Sequence, residues 1–212
     1  MDAPDALASA ATGMQTQAAR LDVIAENLAN ASTVGYRSQR AVSRSFAGRL
    51  STFVVDDDAR SALRKTGVPT DLALVGDGFF AIATRNGVVH TRDGRMAVDA
   101  QGFLCDARGD RVLGSLGPAR FPKGARVDAD GRIVASGRVV DRLRIVYPRG
   151  ARLDRSRAVV HAGYLEESDV DAISQMTALV ATERAYEANQ KTVQCADESL
   201  RRAVIDVPTV RS

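Results

Sequence analysis

The chain has 212 residues, of which 45% are apolar and 26% charged, as is ordinary for a folded protein with room for one or two domains. Its formal net charge of +3 is too small to indicate nucleic-acid binding by itself. No run reaches the roughly 18 apolar residues that a membrane-spanning helix needs, and the first residues lack the basic start and apolar core of a cleavable secretion signal. We therefore expect neither nucleic-acid binding nor membrane insertion.

The first predicted element is a helix over residues 5–31 with one narrow apolar stripe. Large apolar side chains recur there every seven residues, and an alanine follows each of the first three after four residues. Spacings that alternate between four and three are typical of a coiled-coil seam. Beyond the helix, Gly35 can adopt the positive φ that closes such a segment. The seam residues are Leu7, Met14, Leu21 and Leu28, interleaved with Ala11, Ala18 and Ala25.

The middle of the chain changes its apolar period. Residues 37–65 are basic and serine-rich, with three consecutive aspartates, and we interpret them as an extended linker with short strand or helix pieces. From residue 66 to 147 the period is two and glycine-containing turns are frequent, with Asn86-Gly87 as the strongest hairpin signal. Many short strands between tight turns predict an antiparallel all-β domain, which we extend to residue 162.

A second long helix is predicted over residues 169–205, with Ser168 as its N-cap. Its seam residues again recur every seven positions, at Leu179, Tyr186, Val193 and Leu200. The expected fold is α+β, with long N- and C-terminal helices that form a coiled-coil-like pair and an inserted antiparallel all-β domain. The predicted segments are N-terminal helical 1–36, linker 37–65, β domain 66–162 and C-terminal helical 163–212. Periodicity alone does not decide whether the seams pair within one molecule or between copies.

No arrangement of reactive side chains indicates catalysis. His90 lies in a predicted hairpin strand and His161 in a predicted linker, and neither has the partners of a nucleophile–base pair. Cys105 and Cys195 match neither a metal cluster nor a disulfide framework, so we expect two buried free thiols. Gly76-Asp77-Gly78 lacks the lysine and further glycines of a phosphate loop and is interpreted as a tight turn. We expect neither an enzyme nor a bound metal or cofactor.

Three stretches of the chain resemble the axial rod and hook proteins of the bacterial flagellum. Residues 21–37 are similar to the family's N-terminal signature, built around Asn-Leu-Ala-Asn and a Gly-aromatic-basic ending. Residues 70–80, followed by Thr91-Arg92-Asp93-Gly94, resemble the start of its β domain. The stretch from Gly163-Tyr164-Leu165-Glu166 to residue 198 resembles its C-terminal helix signature. The three stretches occur in the family's order.

The departures from the family pattern are small. Glu26, Val34 and Tyr36 stand where the family more often has asparagine, threonine and phenylalanine. The segment between the first signature and the β domain is short and leaves no room for a second outer domain. That favours a rod subunit over the hook protein itself, and the proximal-rod type over the distal-rod type.

The resemblance implies a structural subunit of the flagellar basal-body rod. Such a subunit assembles with other copies of itself and with other rod and hook proteins into the drive shaft that transmits torque from motor to hook. The terminal helices would lie in an inner tube and the β domain outside it. The flagellar type III export apparatus would deliver the chain to the periplasm-spanning rod without a cleaved signal peptide. Because single helices are marginal in water, both ends are expected to be disordered or loosely paired before assembly.

The predicted assembly interface combines seam residues of both helices with polar groups near them. The resemblance singles out two asparagines as helix-end or inter-subunit hydrogen-bonding groups, although simple helix-terminus polarity explains them equally well. The interface residues are Leu7, Met14, Leu21, Asn27, Leu28, Asn30, Met176, Leu179, Tyr186, Asn189, Val193 and Leu200. A non-flagellar, self-associating coiled-coil interaction module is the alternative to a rod subunit.

Overall fold

A computed structural model of the chain describes residues 3–46, 49–56, 61–147 and 158–205. The fold is α+β, with two helices and antiparallel strand pairs. The chain forms two compact units. Unit 1 comprises Met1–Ala31, Ser38–Asp58 and Val170–Ser212, and unit 2 comprises Ser32–Arg37 and Ala59–Asp169.

Unit 1 contains both helices and one β-hairpin. Helix α1 spans Ala3–Ala29 and helix α2 spans Ala172–Ile205. Strands β1 (Gln39–Phe46) and β2 (Arg49–Asp56) pair antiparallel along their whole length. Helix α1 packs against α2 and against both strands. Within residues 37–65, expected to be an extended linker with short strand or helix pieces, these two eight-residue strands pair in one continuous register.

Local hydrogen bonds pair main-chain groups at the end of α1 and at the start of α2. At the end of α1 the Asn30 amide donates to the carbonyl oxygens of Glu26 and Asn27, at 3.1 Å each, which tightens the last turn. At the start of α2 the Asp171 Oδ1 accepts the Ile173 amide at 3.1 Å, as an N-cap side chain does. Asp171, rather than the expected Ser168, therefore caps α2.

Unit 2 is built from short strands. They are β3 Leu63–Lys65, β4 Leu72–Val75, β5 Phe79–Thr84, β6 Gly87–Thr91, β7 Ala97–Val98, β8 Leu104–Cys105, β9 Arg111–Val112, β10 Arg126–Val127, β11 Arg132–Ala135, β12 Arg138–Arg142, β13 Ile145–Val146, β14 Val159–Ala162 and β15 Tyr164–Glu166. One sheet has the order β13-β5-β9-β8-β7, with β6 also paired to β5, and a second has the order β10-β11-β12. Two further antiparallel pairs, β14–β4 and β15–β3, join the two ends of the unit.

The core of unit 2 comes from buried side chains of several strands, and in β4 and β5 three consecutive residues are buried. Leu72, Phe80, Leu104, Val112 and Ile133 are each completely inaccessible to solvent. The predicted hairpin at Asn86-Gly87 joins β5 to β6, and the predicted tight turn at Gly76-Asp77-Gly78 joins β4 to β5. Both turn predictions are confirmed.

The C-terminal edge of the β structure lies further along the chain than the sequence predicts. Strand β14 pairs with β4 and β15 pairs with β3, so strand pairing continues through Glu166 instead of stopping at residue 162. His161 consequently lies in β14, opposite Ala73, and not in a linker. Partners almost a hundred residues away supply these pairings, which the local sequence does not reveal.

Candidate assembly surfaces and a buried ion pair

The two helices of unit 1 run antiparallel and meet at small and polar residues. A Cβ added to Gly13 would lie 3.0 Å from Nδ2 of Asn189, so α2 approaches α1 closely there. Asn27 Nδ2 donates to Oε1 of Gln175 at 3.5 Å. Fourteen positions separate Gly13 from Asn27 on α1, and fourteen separate Asn189 from Gln175 on α2 in the opposite direction. The two contacts therefore share one antiparallel register.

The predicted seam of α1 is only partly buried, because Ala11 and Ala25 are exposed and Ala18 is half-buried. Met14, Leu21 and Leu28 are half-buried, and the side chain of Leu7 lies outside the described residues. The most buried positions of α1 are elsewhere, at Ala10, Thr16, Val23, Ile24 and Asn27. The buried surface is wide because α1 contacts the β1–β2 hairpin as well as α2.

On α2 the predicted residues fall on two faces. Leu179, Tyr186, Asn189 and Val193 are half-buried on the stripe that also carries Gln175 and Thr182, whereas the side chain of Leu200 lies outside the described residues. Met176 is on the opposite face and is 53% exposed. Ile173, 78% exposed, and Val180, 48% exposed, lie beside it at helical spacing. We call Ile173, Met176 and Val180 the outer stripe of α2.

The two predicted asparagines have different roles in unit 1. Asn27 is 1% exposed; its Oδ1 accepts the Gln39 amide at 2.8 Å, and its Nδ2 donates to the Gln39 carbonyl at 2.7 Å. Its side-chain amide thus pairs with the main chain of β1 as a neighbouring strand would. Asn30 Nδ2 donates to the Glu26 carbonyl at 3.0 Å in an exposed position. Asn27 fastens the hairpin to α1, and Asn30 finishes the helix.

Unit 2 contains a buried ion pair that the sequence did not single out. Arg92 Nη1 donates to both carboxylate oxygens of Glu166, at 2.9 and 3.0 Å, and Nη2 donates to the Gly76 carbonyl. The side chains of Arg92 and Glu166 are 2% and 6% exposed. Burial lowers the pKa of Arg92 from its ordinary value; the Glu166 carboxylate opposes that shift and nearby Arg37 adds to it. An arginine remains protonated under such a shift, so the pair is ionic.

The ion pair lies where the three family-like stretches meet. Gly35, from the first stretch, donates its amide to the Glu166 carbonyl at 2.8 Å. Gly35 has φ +68°, and a Cβ there would fall 2.6 Å from the main-chain carbonyl of Arg92. Within the second stretch the approach is closer still, because a Cβ on Gly94 would fall 1.5 Å from the Leu72 oxygen. The signal in the sequence was that Arg92 and Glu166 each lie within a family-like stretch.

The remaining polar candidates carry no assembled site in the described parts of the chain. His90 is exposed on β6 and His161 packs edge-on to Tyr164. Cys105 is buried and burial raises the pKa of its thiol, but Cys195 is exposed on α2, which corrects the expectation of two buried thiols. No group of three or more potential metal ligands occurs among the described residues. No helix in the described ranges is long and apolar enough to cross a membrane.

Family profiles match three parts of the chain in the order that the motifs suggest. Residues 7–37 match the family described as Flagella basal body rod protein. Residues 73–153 match the Flagellar hook protein FlgE/F/G D1 domain, and residues 161–205 match the Flagellar basal body rod FlgEFG protein C-terminal family. The first and third matched regions contain most of α1 and α2, and the second contains most of the strands of unit 2.

Curated relatives match the chain over nearly its whole length. The flagellar basal-body rod protein FlgF of Mesorhizobium japonicum is 30% identical, over 93% of this chain and 97% of the relative. FlgG of Agrobacterium fabrum is 28% identical, over 91% and 95%, and FlgF of Escherichia coli is 31% identical, over 85% and 89%. The fold, the meeting of the three family-like stretches at the buried ion pair and the similarity over most of the chain all agree. The chain belongs to the family of flagellar basal-body rod proteins.

Proposed function

We propose that the chain is a structural subunit of the flagellar basal-body rod, built to assemble with other axial proteins and not to catalyse a reaction. The observation that carries this function is the match to named rod proteins over 97% of the length of one relative. The alternative, a non-flagellar coiled-coil interaction module (an adaptor), is not favoured, because the relatives that match most of the chain are named rod proteins.

Within the rod, we propose that α1 and α2 form the coiled-coil-like inner part of the subunit and that unit 2 lies outside it. The antiparallel contacts of Gly13 with Asn189 and of Asn27 with Gln175 support pairing of the helices inside one molecule. The α2 seam at Leu179, Tyr186 and Val193 is then used mainly within the subunit. Its neighbours in the assembly would be further copies and other rod and hook proteins, which together transmit torque.

The outer stripe of α2 is the surface that we propose for contact between subunits. Ile173, Met176 and Val180 form an apolar row on the face of α2 opposite its half-buried stripe. Exposed apolar rows of this kind mark interaction surfaces. Met176 was predicted in the assembly interface from the sequence, and its position here supports that role.

The test is an aspartate at the centre of the outer stripe. Met176→Asp places a charge where the neighbouring subunit is proposed to pack, and a buried unpaired charge costs several kcal/mol. We expect at least a tenfold loss of swimming cells and basal bodies that lack a complete rod, with normal amounts of soluble protein and unchanged helix content by circular dichroism.

The matched control is Ala181→Asp, an exposed position of the same helix outside the stripe. It introduces the same charge and should leave swimming near the wild-type level. Normal motility with Met176→Asp would rule out the outer stripe as the contact. Deletion of the whole chain tests the function itself: loss of swimming with incomplete basal bodies supports a rod subunit, and intact flagella support the adaptor.

We also propose the proximal-rod position and export through the flagellar type III apparatus. The short segment between the first family-like stretch and the β domain supports the first. Detection of the protein in purified basal bodies, next to the motor-proximal end of the rod, would test both. Mass spectrometry of the rod-bound chain would show whether its N-terminus has been cleaved.

A further inference from the structure

Arg92 is a buried cation whose carboxylate partner comes from the far end of unit 2. Its guanidinium makes three hydrogen bonds, two to Glu166 and one to the Gly76 carbonyl, and lies 5.4 Å from the centre of the Phe79 ring. Glu166 lies 74 residues further along the chain. A buried charge that loses its partner is strongly unfavourable, more so than a pair replaced by apolar side chains. Arg92 therefore requires Glu166 for unit 2 to close.

Glu166 in turn places the two segments that connect unit 2 to the helices. Its carbonyl accepts the Gly35 amide at 2.8 Å, and three residues later the Asp169 amide donates to the Tyr36 carbonyl at 3.4 Å. Gly35–Tyr36 follows α1 in the chain and Glu166–Asp169 precedes α2. The side chain of Arg92 holds one segment, and its main chain lies against Gly35 of the other.

We propose that Arg92 is the positioning residue of a latch that joins the segment after α1 to the segment before α2 when unit 2 closes. The latch forms only once the residues through Glu166 are in place, because β3 and β4 find their described strand partners only in β15 and β14. A chain whose last part has not yet arrived keeps Arg92 unpaired and the two segments apart. The latch is independent of the rod function, since it acts within one molecule.

Backbone amide hydrogen exchange on the isolated full-length chain tests the latch. In Arg92→Met and in Glu166→Gln, we expect the Gly35 and Asp169 amides to exchange about tenfold faster or more. The Leu113 and Ala119 amides, which bond to Ala81 and Val112 inside the sheets of unit 2, should change less than about threefold. In the double variant Arg92→Met with Glu166→Met, which leaves no unpaired buried charge, exchange at Gly35 should stay about tenfold faster or more, since the hydrogen bonds of the latch are gone.

The control is Arg95→Met, three residues after Arg92, which removes the exposed ion pair of Arg95 with Asp93 and should leave exchange at Gly35 unchanged. Three results would overturn the latch: equal acceleration at Gly35 and Leu113, unchanged exchange at Gly35 in both single variants, or a return of the double variant to the wild-type rate at Gly35. If Arg92→Met does not fold, the test rests on Glu166→Gln, which keeps the shape of the side chain, and on the double variant. Because no assembly is measured, the outcome does not depend on the rod function.

Discussion

Asn27 shows how one buried amide can join three elements. It bonds twice to the main chain of Gln39 on β1 and reaches Gln175 on α2 from its place on α1. Asn27→Ala would leave the Gln39 amide and carbonyl without those partners in a buried place. We expect the free energy of unfolding of unit 1 to fall by about 2–3 kcal/mol, measured by urea denaturation followed at 222 nm.

Asn30→Ala is the control for that measurement. The side-chain hydrogen bond from Asn30 to the Glu26 carbonyl is exposed, so its loss should cost about 0.5–1 kcal/mol. Equal costs for the two substitutions would mean that the Asn27 amide does not fasten the hairpin to the helices.

For single residues, the sequence identified which positions matter better than it identified the contacts that they make. It pointed to Asn27, but the partner of its amide is the main chain of Gln39, and main-chain atoms carry no sequence signal. The sequence did not indicate that Arg92, which follows β6, is buried, because charged residues are mostly exposed. Its burial is tolerable only because Glu166, 74 residues away, pairs with it. Cys195 was expected to be buried because free cysteines usually are, but it lies exposed on α2.

At the scale of the elements, the closest approach between segments of unit 2 is at Gly94, which lies against β4. Its Cβ would fall 1.5 Å from the Leu72 carbonyl oxygen, whose own residue donates its amide to the Gly94 carbonyl at 3.0 Å. Gly94→Ala must push β4 away from the 91–94 segment. We expect a loss of stability of about 3 kcal/mol or more, or no folded unit 2, measured by thermal denaturation.

Gly102→Ala separates this steric effect from backbone strain. Gly102 also turns the chain, with φ +82°, but a Cβ there meets nothing within 4 Å. Its cost should be limited to about 1 kcal/mol of strain. A Gly94→Ala variant as stable as Gly102→Ala would contradict the close approach of the 91–94 segment to β4.

The sequence predicted elements well where their period is local. Helices α1 and α2 and the β5–β6 hairpin follow from spacing and turn residues alone. The β1–β2 hairpin did not, because its strands mix arginine, serine and valine without a clean alternation. A two-stranded ribbon packed on a helix does not need a fully apolar face. Strands β14 and β15 were missed in part because their partners, β4 and β3, are remote in sequence.

In the whole molecule the two units differ in how much apolar surface they bury. Among the described residues, unit 1 buries only Ala10, Val23 and Ile24 as apolar side chains, whereas unit 2 has a continuous core around Phe80 and Leu104. We expect the helices to open first on heating of the isolated chain, roughly 10 °C or more below unit 2. Amide exchange at increasing temperature, compared between α1 and β5, measures the difference.

A single cooperative transition for α1 and β5 would contradict that expectation, and would also argue against helices that are loosely paired before assembly. The order of helix, β domain and helix could be read from the sequence because the apolar period changes twice. The division into units could not, because the hairpin at 39–56 joins the helices through contacts that lie far apart in the chain.

The polar contacts between α1 and α2 have a mechanical consequence. Sliding one helix along the other by a turn, about 5.4 Å, would separate Gly13 from Asn189 and Asn27 from Gln175 at the same moment. Apolar contacts are non-directional and would re-form at many offsets, but these contacts fit only one. The pair of α1 and α2 therefore resists sliding of one helix along the other and can move only from one matching register to the next. A component of a shaft under load needs that resistance.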